Sequence, residues 1–126
     1  MNPLFIEKTK TTPNVEFNKE KGVFSITGHS LPEDALKFYQ PVLDWFNTYL
    51  ESPNQSTLLK FELEYFNTAT SKVIFELISM LNTPYSQGFE VKVNWHYLED
   101  DEDLLEMGQD YATLVKIPFE FTSYVG

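Results

Sequence analysis

Residues Phe66 to Lys72 read FNTATSK, and they place the hydroxyls of Thr68, Thr70 and Ser71 directly behind Asn67. The stretch joins an alternating run, LLKFELEYFN, to a run with helical spacing, TSKVIFELISMLN. Asn67 is a good N-cap, which makes Thr68 the first helical residue. A single cap does not require so many hydroxyls, so another chemistry is open to them. A phosphoryl group at a helix N-terminus meets unpaired backbone N–H groups and the positive end of the helix dipole. It also adds up to about two negative charges at one surface point. That can abolish docking of a partner without unfolding the domain. On residue chemistry alone Thr68, Thr70 and Ser71 compete as acceptor, and a plain capping role stands beside them.

Other chemistries find less support. The two histidines, His29 and His96, do not make an H-E-x-x-H spacing, and both read as strand or strand-end histidines. The acidic run Glu99-Asp100-Asp101-Glu102-Asp103 resembles a cation loop, but a calcium EF-hand loop needs glycine where Leu104 stands. It reads instead as a helix cap with a dipole-stabilised first turn, or as an acidic contact patch. The five glycines form neither a P-loop nor a dinucleotide fingerprint, and there is no G-x-S-x-G elbow.

The elements that must position FNTATSK follow from periodicity. Leu4 to Thr9 is a candidate edge strand, and VEFNKEKGVFSITG reads as a hairpin turning at Gly22. A helix starts at Ser30 or within Pro32-Glu33-Asp34, with acids in its first turn. Phe38, Tyr39, Val42, Leu43, Phe46, Tyr49 and Leu50 give it an apolar stripe. Pro41 should divide it into a short turn and a main helix. In the strand Thr57–Phe66, alternation places Leu59, Phe61, Leu63 and Tyr65 on the buried side. A second helix follows, then a loop bounded by Pro84 and Gly88, a strand at FEVKVNWHYLE, a third helix at DEDLLEMGQDYATLV and a last strand at IPFEFTSY.

The expected order is β-ββ-α-β-α-β-α-β, an α/β single domain over residues 1–126. Its sheet is mixed and partly parallel, with helices packed mainly on one face. In parallel units the loops after the strands meet at one edge. Gly28–Pro32, Asn67–Ser71 and Glu99–Asp103 should therefore form one composite surface.

The bulk properties bound the partners. The 126 residues suit one domain with a real core, and 42% hydrophobic residues with 16% aromatics make that core rich in phenylalanine. A net charge of −10 disfavours nucleic acid and anionic membrane, which need a basic face. With no cysteine there is no disulfide framework or thiolate metal site. No signal peptide or membrane span is visible, so a cytoplasmic protein without a cofactor is expected.

Three blocks carry a resemblance: GHSLPEDALKFYQPVLDWFNTYL, LKFELEYFNTATSKVIFELISML and VKVNWHYLEDDEDLLEMGQDYATLVKIPFEF. In that order, and over nearly the whole chain, the sequence resembles the SiaC family of regulatory phosphoproteins, whose fold is similar to STAS domains. The resemblance implies a non-catalytic partner switch in cyclic di-GMP signalling and biofilm formation. It implies a phosphothreonine at the start of the helix after a central strand, which corresponds to Thr68, with Asn67, Ser71 and Lys72 as neighbours. It further implies a kinase of the histidine-kinase-like ATPase type and a metal-dependent phosphatase. The unphosphorylated form would bind and activate a diguanylate cyclase. His29, Ser30, Glu99, Asp100 and Asp101 are the candidates for the partner surface around the acceptor.

Two alternatives stand beside the switch. One is a small-ligand-binding STAS-like module, which needs a concave apolar pocket. The other is an enzyme using Glu99–Asp103 with a divalent cation. Leu36 and Trp45 lie off the first helix's apolar stripe and are either core or contact residues.

Overall fold

The computed structural model describes residues 1–126. The chain runs β1 (Leu4–Ile6), β2 (Asn14–Asn18), β3 (Val23–Ser30), α1 (Ala35–Tyr49), β4 (Ser56–Phe66), α2 (Thr68–Met80), α3 (Asn82–Ser86), β5 (Glu90–Leu98), α4 (Glu102–Leu114) and β6 (Phe119–Tyr124). The strands form one six-stranded sheet in the order β1-β2-β3-β4-β5-β6. Pairing is antiparallel from β1 to β3 and parallel from β3 to β6. The mixed sheet expected from the sequence is present. Gly22 turns β2 into β3 at φ +68, a conformation that costs glycine no Cβ clash.

Alternation decides which face is buried. Phe17, Phe24, Ile26, Leu59, Phe61, Leu63, Val91, Val93 and Trp95 point to one side and are buried. Onto them pack Tyr39, Val42, Leu43, Phe46 and Tyr49 from α1, and Val73, Ile74, Leu77 and Ile78 from α2. The opposite face carries Lys60, Glu62, Lys92, Asn94 and His96, at least partly exposed. No helix is long and apolar enough to cross a membrane.

Four local expectations are corrected. Pro41 lies inside one continuous α1 rather than dividing it. It faces solvent, where the carbonyl it leaves without a donor can be hydrated, while the buried stripe on the other side holds the helix together. Ser30 ends β3 and does not start the helix. Asp34 is the cap, its carboxylate accepting from the Lys37 N–H at 3.1 Å, and the first turn contains no acid. Asn82–Ser86 forms a short helix where the sequence predicts a loop, with its own Pro84 buried. Finally, the β3–β4 register pairs Gly28 with Leu63 but His29 with Tyr65, leaving Glu64 as an extra residue. This bulge inverts the alternation: Tyr65 faces out and Phe66 faces in.

Candidate functional site

Because β3, β4 and β5 are parallel, their C-terminal ends reach the same edge of the sheet. The last β3–β4 pair is Ser30 with Phe66. Immediately beyond it, the Asn67 N–H donates to the Ser30 carbonyl at 3.0 Å. The Asn67 backbone is extended, and its side-chain oxygen accepts from the Thr70 N–H at 2.9 Å. Asn67 is thus the N-cap, and α2 begins at Thr68.

The three hydroxyls behind this cap have different environments. Thr70 is fully buried. Its hydroxyl donates to the Ser30 carbonyl at 3.2 Å and lies 2.9 Å from Ser30 Oγ, which is in turn 2.6 Å from Tyr39 Oη. Burial pushes the Tyr39 phenol up to about 12, against the opposing effect of its two hydroxyl neighbours. The Ser71 hydroxyl is half-buried and donates to the Thr68 carbonyl at 2.6 Å. Thr68 is exposed, and its hydroxyl takes part in no hydrogen bond within the chain. Of the competing acceptors, only Thr68 presents an accessible, unengaged oxygen.

α4 forms the second wall of the site. Asp101 caps it by accepting from the Leu104 N–H at 3.0 Å, with Glu102 and Asp103 in the first turn. The acidic run is therefore the cap that its position suggested, and no group of three or more His, Asp or Glu side chains is arranged to hold a metal. Trp95 Nε1 donates to the Leu104 carbonyl at 3.0 Å. Gly108 lies against the indole so closely that a Cβ there would meet the ring at 2.5 Å. The Tyr111 hydroxyl donates to the Ser71 carbonyl at 2.9 Å, and its ring stacks on Phe75. Burial pushes the Tyr111 phenol up to about 12, opposed by the contact with Ser71. These bonds hold α4 beside the first turn of α2.

Between the two helices lies a cleft of about 290 Å³, bordered by Asn67, Thr68, Ser71, Met107, Tyr111 and Leu114. A smaller cleft of about 170 Å³ continues from it past Tyr65, Asp101, Asp103 and Met107. The largest cavity, about 540 Å³, is an open groove near Leu58, Tyr85 and Phe89 at the other end of the strands.

The structure brings Asn67, Thr68, Ser71 and Asp101 to one edge. Lys72 is exposed on α2, while Glu99 and Asp100 are exposed at the β5–α4 turn but border neither cleft. His29 is exposed beside the bulge, its Nε2 3.1 Å from Glu64, and borders neither cleft. Ser30 is corrected as a surface candidate: it is fully buried in the hydroxyl chain with Tyr39 and Thr70. Trp45 is half-buried and packs against the core on Phe17 and Tyr49, whereas Leu36 is exposed. Tyr65, Met107, Tyr111 and Leu114 were not anticipated at the site. Met107 and Leu114, as apolar residues on the polar side of the last helix, were the available signal.

The fold is shared with known proteins. The sequence profile of the SiaC family of regulatory phosphoproteins matches residues 6–124. An uncharacterized protein of Pseudomonas aeruginosa strain UCBPP-PA14 is 26% identical over 124 residues, 98% of each chain. The crystal structure of apo-SiaC from Pseudomonas aeruginosa superposes with a TM-score of 0.88 at 26% identity, covering 98% of this chain and 100% of that one. SiaC in its complex with the diguanylate cyclase SiaD, of which it is the activator, superposes with a TM-score of 0.89, covering 96% and 99%. The chain belongs to the SiaC family of regulatory phosphoproteins.

Proposed function

We propose that this protein is a non-catalytic partner switch whose acceptor is Thr68. The observation that carries the proposal is the contrast among neighbours: Thr70 is buried and bonded, Ser71 is engaged, and Thr68 is exposed and free at the first position of α2. A phosphate there sits where free backbone N–H groups and the helix dipole favour an anion. All nine basic residues are lysines, so no arginine can clamp it bidentately. The phosphate therefore stays on the surface, where a partner must meet it.

In this reading the unphosphorylated form binds and activates a diguanylate cyclase, as SiaC does SiaD. A histidine-kinase-like ATPase adds the phosphate and a metal-dependent phosphatase removes it. The test is a phosphosite map of the protein from its native host, with and without the nearest phosphatase gene. Phosphate confined to Thr68 and increased in the deletion strain supports the switch. Phosphate on Ser71 instead moves the acceptor, and none in either strain refutes the proposal. Reconstitution gives the second arm: Thr68→Ala should preserve cyclase activation and Thr68→Asp should reduce it.

A further inference from the structure

The bulge at Glu64 has a surface consequence. It turns Tyr65 outward, 57% exposed, onto the edge where Met107 and Leu114 of α4 are 44% and 65% exposed. Scattered exposed apolar residues are ordinary, but these border two adjoining clefts, one of which Thr68 also borders. The rim is of one sign: Glu64, Asp101 and Asp103 along the smaller cleft and Asp110 along the larger, with no lysine bordering either.

We infer that this groove is the docking surface of the switch, and that its occupant is a protein segment with apolar anchors flanked by lysine or arginine. The inference rests on the switch reading for the role of Thr68 and adds where the partner lies and what chemistry it brings. Tyr65, Met107 and Leu114 receive the anchors, and the acidic rim pairs with the basic flanks.

Phosphorylation then has two opposed effects. The added charge attracts the basic flanks, but exposed ion pairs in water contribute little. The phosphate also stands beside the surface that must dry when the anchors dock, and desolvating a dianion costs far more. Desolvation wins, so the phosphate expels a partner whose charge would otherwise favour it.

A random peptide library displayed on phage, selected against the whole protein, tests this. Enriched peptides should carry two or more apolar residues beside lysine or arginine, and their binding should weaken as salt rises. The double variant Met107→Ser/Leu114→Ser should bind the same synthetic peptides about 100-fold more weakly, two anchors at roughly tenfold each. Both positions are exposed, so the variant should fold, which circular dichroism checks. Asp103→Asn/Asp110→Asn should flatten the salt dependence. Acidic or purely polar peptides, no enrichment over the double variant, or equal affinity for it would overturn the groove. Phosphothreonine installed at position 68 separates the two readings. Peptides that need Met107 and Leu114 but ignore the phosphate keep the groove and refute the switch. Peptides that the phosphate repels but the double variant still binds keep the switch and refute the groove.

Discussion

Placing an aspartate at position 68 or at position 70 should give opposite results, although the two sites are only two residues apart. At Thr70 the new carboxylate is enclosed. Its desolvation costs several kcal/mol. Ser30 Oγ can donate to it, which recovers roughly 1.5–3 kcal/mol for one charged hydrogen bond. Against that recovery, the Ser30 carbonyl loses the Thr70 donor. The net destabilisation is about 3–5 kcal/mol. At Thr68 the carboxylate is exposed and lies at the helix N-terminus, which is worth about 0.3–1 kcal/mol of stabilisation. For a domain of this size the unfolding entropy makes 1 kcal/mol about 4 °C in Tm. Thermal melts followed by circular dichroism should therefore show Thr70→Asp about 12–20 °C below wild type and Thr68→Asp at or slightly above it. The nearly isosteric Thr70→Val removes only the two hydrogen bonds to Ser30 and should lose about 1–2 kcal/mol, or about 4–8 °C. If Thr70→Asp melts within about 4 °C of wild type, position 70 is accessible, and the choice of Thr68 over Thr70 loses its physical basis.

Three further outcomes follow from the packing and the titratable groups. Gly108→Ala drives a methyl into the Trp95 ring; overpacking of about 1–3 kcal/mol should exceed a helix-propensity gain of at most about 1, seen as a lower urea midpoint and a shifted tryptophan emission. The Tyr39 phenol is raised to about 12 in the folded state, so its contribution is intact below pH 10 and is lost between pH 10 and 12. That amounts to about 2–3 kcal/mol, and Tyr39→Phe should show a correspondingly shallower alkaline decline in urea titrations. His96 is lowered in the folded state, chiefly by burial and then by Lys60, against the opposing pull of Glu62 and Glu120. Its contribution is present above pH 6.5 and lost as pH falls through the folded value, so His96→Gln should flatten the acid side of the stability profile.

The sequence revealed what periodicity encodes: the hairpin, the apolar stripes, the caps at Asn67 and Asp101, and the meeting of strand ends at one edge. It concealed what depends on three-dimensional register. Nothing in FELEYF marks Glu64 as the extra residue, because a bulge is set by the partner strand, and so simple alternation places Tyr65 on the buried side. Pro41 misled because a local cost was weighed without the burial that offsets it. The separation of Thr68 from Thr70 was equally hidden. Both are threonines in one helical turn, and only the packing of β3 and α1 seals one of them.

The order of strands in the sheet is also their order along the chain. Every strand thus pairs only with its neighbours along the chain, so no pairing waits for a strand made later than the next. Synthesis from the N-terminus can then add one strand at a time to a growing edge. β4 brings Thr68 into place early, but α4, which walls the cleft beside Thr68 and covers Trp95, joins only with the last crossover to β6. A nascent chain would carry a buried Thr70 and a formed helix cap before it had a groove, so competence to engage a partner would be the last property acquired during folding.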